Sequence, residues 1–142
     1  MTTSEDRPYR VAINIDAAPD PQYVLELGEA FAQIVRALNN ITRDHAALEY
    51  PAEADELIRD VSLAVSRLPQ LLEQVGRWLA AEHEAGRVGT DDGADPATAV
   101  MAARIRLDQA RAMADDLTHA LNSATSVTSH LKTANTGEDA DG

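Results

Sequence analysis

Cysteine is absent from this 142-residue chain, which removes disulfides, thiolate metal sites and cysteine nucleophiles from consideration. The absence leaves the redox compartment open. Lysine occurs once, at Lys132, so arginine carries almost all of the basic charge, and 12 basic residues face 24 acidic ones. The net charge of −12, with an isoelectric point near 4.5, disfavours a protein that binds by neutralising nucleic-acid phosphates. It equally disfavours an anionic membrane surface. Solubility alone accounts for such a charge, and a basic protein partner is the positive reading of it.

No apolar run approaches the roughly 18 residues of a membrane span, and residues 1–10 lack the basic-then-apolar order of a signal peptide. The expectation is a soluble cytoplasmic protein. A Gly-rich phosphate loop, a Gly-x-Ser-x-Gly elbow and a His-Glu-x-x-His pair are all missing as well. Glu26 and Glu29 fall on the outer side of the first predicted helix, so they offer no inward pair for acid–base work. The acidic group Glu82, Glu84, Asp91, Asp92 and Asp95 does not match the alternating ligands of a calcium loop. Asp115 and Asp116 can meet His119 on one helical face, but the Glu-x-x-His pattern of di-iron bundles is absent. No catalytic residue, cofactor or metal ligand is therefore assigned, and the chain is expected not to be an enzyme.

What the sequence does contain is helical periodicity. In the stretch 57–79, Leu57, Val61, Ala64, Leu68, Leu71, Val75 and Trp78 step by four and three without a slip, and Ile58, Val65, Leu72 and Leu79 form a second apolar row beside them. Such a wide face suits a helix lodged between two neighbours, which makes this the central helix of a bundle. Before it, Asp20-Pro21 gives an N-cap and first helical residue. Val24, Leu27, Phe31, Ile34, Leu38, Ile41, His45 and Leu48 then continue one seam, ending by Tyr50 ahead of Pro51. His45 thus takes a core position, as a buried neutral imidazole with one hydrogen-bond partner. Glu53, Asp55 and Glu56 place negative charge at the start of the second helix.

Pro69 either kinks that helix, expected over about 52–85, or splits it into two. The apolar rows cross Pro69 in phase, which favours one helix. Residues 88–95 read as a polar loop, and Asp95-Pro96 repeats the start signal for a third helix. Its rows are Val100, Leu107, Ala114, Leu121 and Thr128, then Ala103, Ala110, Leu117, Ala124 and Leu131, flanked by Met113, Ala120 and Val127. Residues 1–8 and the acidic tail 134–142 are expected to be disordered around a single domain, 9–133.

The expected fold is all-α: an antiparallel three-helix up-down-up bundle, or four helices should Pro69 break the second. Tyr9, Val11, Ile13 and Ile15 alternate with polar residues as a half-buried strand does, the only such pattern in the chain. It is expected to lie as an extended arm on the bundle or to pair with its own copy in a dimer. Together with the outward Leu63, Met101 and Ile105, these four form the candidate interface. The functional expectation is a non-enzymatic helical-bundle interaction protein, coiled-coil-like and homodimeric. The alternative is an acidic inhibitor or antitoxin-like protein that occupies the basic site of a nuclease or DNA-binding partner.

Overall fold

The computed structural model describes residues 8–135; the termini expected to be disordered lie mainly outside them. Every regular element among the described residues is helical: α1 (Pro21–Ile41), a short 3-10 helix (His45–Ala47), α2 (Pro51–Glu84) and α3 (Pro96–Thr128). The chain forms two compact units, Met1–Glu49 and Tyr50–Gly142.

In the first unit, Asp20 caps α1 by accepting a hydrogen bond from the Gln22 amide at 3.1 Å, with Pro21 opening the helix. No strand forms among the described residues, so the alternation at Tyr9 to Ile15 marks a non-helical arm instead. The reason is local. The Tyr23 phenol donates to the Ala12 carbonyl at 2.6 Å and accepts from the Asn14 amide at 2.9 Å, so one side chain of α1 takes over hydrogen bonds that a neighbouring strand would otherwise supply. Along α1, Ala30 is buried, Leu27 and Leu38 are half-buried, and Val24, Phe31, Ile34 and Ile41 are exposed.

α1 also stops earlier than its apolar seam suggests. The Thr42 amide and hydroxyl both bond to the Leu38 carbonyl, at 2.9 and 2.7 Å. Asp44 then accepts from the Ala46 amide at 2.8 Å and caps the 3-10 turn. These short polar side chains offer the backbone a local alternative to the helix, and they take it. His45 is consequently exposed on that turn and is no core residue.

In the second unit, α2 runs unbroken through Pro69, so the described residues form three α-helices and not four. The Glu53 carboxylate accepts from the Tyr50 amide at 3.1 Å at its start. At its end Gly86 adopts a positive φ of 73°, the Arg87 amide reaches the Glu82 carbonyl and the Gly86 amide reaches the His83 carbonyl. That pairing is a Schellman motif, which needs the left-handed geometry glycine tolerates. Asp95 then caps α3 through the Thr98 amide and hydroxyl.

α2 and α3 pack antiparallel along their length. The register is fixed by polar pairs: Asp55 accepts from the Thr128 hydroxyl, and the Ser62 hydroxyl donates to Asn122 at 2.7 Å. Farther along, Arg111 reaches Glu73 at 3.5 Å and Gly76 lies beside Leu107. Ser62, Gly76, Val100, Ala114 and Thr125 are buried, with Ile58, Val65, Pro69, Leu72 and Leu79 half-buried between them.

Three carboxylates are held below their usual range by hydrogen bonds: Asp55 by Arg59 and then Thr128, Glu82 by Arg87, and Asp95 by Thr98. A carboxylate with a lowered folded value contributes stability above its unfolded value and loses it as the pH falls through the folded one. The repulsion of a chain at −12 relaxes on acidification down to the isoelectric point, which works the other way. Thermal unfolding followed by circular dichroism is therefore expected to decline on the acid side of the isoelectric point. Asp55→Asn with Asp95→Asn should flatten that decline; an unchanged acid limb in the double variant would refute the assignment.

Candidate interaction surfaces

Two faces of the α2·α3 hairpin remain after the helices pack. The first is a run of shallow grooves. Arg59, Ser62, Leu63, Ser66, Thr118, Asn122 and Thr125 line one end. In the middle, Glu73 and Arg77 of α2 face Arg104, Asp108 and Arg111 of α3. Arg111 is clamped there between Asp108 at 3.1 Å and Glu73 at 3.5 Å. The far end is a cleft of about 440 Å³ lined by Ala80, His83, Val100, Met101 and Ile105, among others. The structure thus places Leu63, Met101 and Ile105 on one side of the hairpin, separated by a charged middle. His83 also lines this cleft, half-buried.

The second face lies on the opposite side and carries the row expected to be most deeply packed. Of Leu57, Val61, Ala64, Leu68, Leu71, Val75 and Trp78, only Leu57 and Leu68 are even half-buried, and Trp78 is 61% exposed. On α3 the matching row is Ala110, Met113, Leu117, Ala120, Ala124 and Val127, continued just past the helix end by Leu131, with Met113 70% exposed. Both rows keep the three-four spacing of a seam, and neither contains a charged or polar residue. The helix pair has settled one step round α2 from the expected row. Small Ser62 and Gly76 at the contact let the backbones close, where a bulky Leu or Trp would hold them apart.

The arm residues belong to the first unit. Ile13 and Ile15 are exposed, Val11 is half-buried, and Tyr9 is exposed with its phenol pushed up by partial desolvation and by the nearby Glu29 and Glu26 carboxylates. Among the described residues no three His, Asp or Glu side chains converge on a cation-sized space. His119, Asp115 and Asp116 are all exposed on α3. No helix there is long and apolar enough to cross a membrane. No protein-family model matches this chain, and neither a curated protein nor a solved structure proved similar to it.

Proposed function

We propose that the protein is a non-enzymatic interaction module of the cytoplasm that works as a homodimer and presents long helical surfaces to a protein partner. The observation that supports this most directly is the second face of the hairpin: two parallel seams of apolar side chains, free of charge and exposed to water. A contiguous apolar surface of that length on a soluble chain marks a place of association. Sedimentation velocity at tens of micromolar tests it. A dimer is the expected result, and a monomer that also retains no protein partner in a pull-down would refute the reading.

The acid excess favours a second reading, in which the module occupies the basic site of a nuclease or DNA-binding protein. Asp108, Asp115 and Asp116 are exposed along α3 and add to a net charge of −12. Binding of that kind weakens steeply as salt is raised, because exposed charges are screened beyond a Debye length of about 8 Å at physiological ionic strength. Affinity for a basic partner that stays constant between low and high salt excludes it.

A further inference from the structure

We infer that the occupant of the apolar face is the same face of a second copy, with α2 of one protomer lying over α3 of the other to make a four-helix arrangement. This rests on the homodimer reading above and adds the surface and the pairing. Area is the first argument. Val61, Leu71, Val75 and Trp78 on α2, Met113, Leu117 and Val127 on α3, and Leu131 just past its end leave side-chain surface on the order of 800 Å² exposed, the share one partner gives to a standard interface.

Charge is the second. A protein at −12 repels its own copies, so self-association requires a surface from which the acid groups are excluded, and these two rows exclude them from Leu57 to Trp78 and from Ala110 to Leu131. The grooved side, with Glu73, Arg77, Arg104 and Asp108, does not meet that condition.

Shape selects the pairing. The α2 row is bulky except at Ala64, whereas the α3 row is alanine at three of its seven positions. Laying α2 on its own copy would crowd large side chains at one edge and leave the alanine edge open. Laying α2 on the partner's α3 instead spreads the bulk over both edges, with Val61 near the level of Ala124 and Val75 near that of Ala110. A two-fold axis parallel to the helices produces this arrangement, and it keeps each residue level with its neighbour across the hairpin. Leu71 then lies over Met113 of the partner subunit.

Two leucines make a matched test. Leu71 on the apolar face and Leu63 on the grooved side are 52% and 51% exposed, so glutamate at either position disturbs the isolated fold about equally. Leu71→Glu is expected to weaken dimerisation at least 100-fold by sedimentation equilibrium, with helix content unchanged by circular dichroism, while Leu63→Glu leaves the dimer intact. The missing cysteines supply a second readout. A mixture of Leu71→Cys and Met113→Cys proteins should oxidise to the mixed dimer in preference to either homodimer. A dimer that survives Leu71→Glu, or yields to Leu63→Glu alone, overturns the inference and leaves the homodimer reading standing. A dimer broken by Leu71→Glu whose cysteines form mainly Leu71→Cys homodimers overturns the pairing. Wild-type protein that stays monomeric, with Trp78 shielded from a soluble quencher, overturns both readings and gives the face to another part of the same chain.

Discussion

Ala114→Asp is expected to abolish the cooperative thermal transition of the hairpin, and Ala114→Leu to lower its midpoint by roughly 10 °C. Ala114 is buried in the middle of α3, and the register set by Ser62–Asn122 and Glu73–Arg111 brings it level with Pro69 of α2. Because Ala114 is buried on the α3 face that packs against α2, a longer side chain there must displace its neighbours. Leucine forces the helices apart or its own side chain off rotamer, at a cost of about 2 kcal/mol. For a unit of this size that corresponds to the stated shift. Aspartate instead leaves a carboxylate between two helices in a chain already rich in acid, with Arg111 engaged by Asp108 and Glu73. An uncompensated buried charge costs about 3 kcal/mol or more, a large part of what a small helical unit has. A midpoint unchanged in Ala114→Leu would mean that α2 and α3 do not meet along this row.

The contrast between these helices' ends and their faces explains what could be read in advance. Asp20-Pro21 and Asp95-Pro96 announced their helices because capping is chemistry between a side chain and amides two or three residues away. Pro69 could be read as lying within a helix because apolar rows on both sides of it stay in phase. The end of α1 could not be read from the seam, which runs on in phase to His45 and Leu48. The deciding interactions were the hydroxyl of Thr42 and the carboxylate of Asp44, which a hydrophobic pattern ignores.

The identity of the packed row was harder still. Periodicity says that a face is apolar; it does not say which neighbour fills it. On α2 two adjacent rows qualify, and apolarity ranks Leu57 to Trp78 above a row interrupted by Ser62, Pro69 and Gly76. Contact with α3 is decided instead by how closely two backbones can approach and by which polar atoms find partners. On both counts the interrupted row wins: Ser62 and Gly76 are small, Ser62 has Asn122, and Asp55 has Thr128. The spacing of Asp55, Ser62, Pro69, Gly76 and His83 at every seventh residue was the available signal. The candidate site was legible to the same degree. Leu63, Met101 and Ile105 do share a side of the hairpin, while the larger apolar surface was hidden by being assigned to the core.

Gly76 separates backbone from packing in a single position. A Cβ built there would lie 3.6 Å from Leu107 Cδ1 and 3.9 Å from Arg104 Cγ, which is ordinary contact. Gly76→Ala therefore adds a methyl group without a clash and removes the entropy cost of glycine in a helix interior, about 1 kcal/mol. Its unfolding midpoint should rise by roughly 4–8 °C. Gly76→Leu extends past the Cβ into the space Leu107 occupies, so the propensity gain is outweighed by overpacking of about 1–3 kcal/mol and the midpoint should fall. The opposite signs matter more than either magnitude. Were the glycine kept only to loosen α2, both variants would stabilise; were the interface too tight for any side chain, both would destabilise. Only a contact that accepts one carbon and rejects four raises the midpoint in the first variant and lowers it in the second.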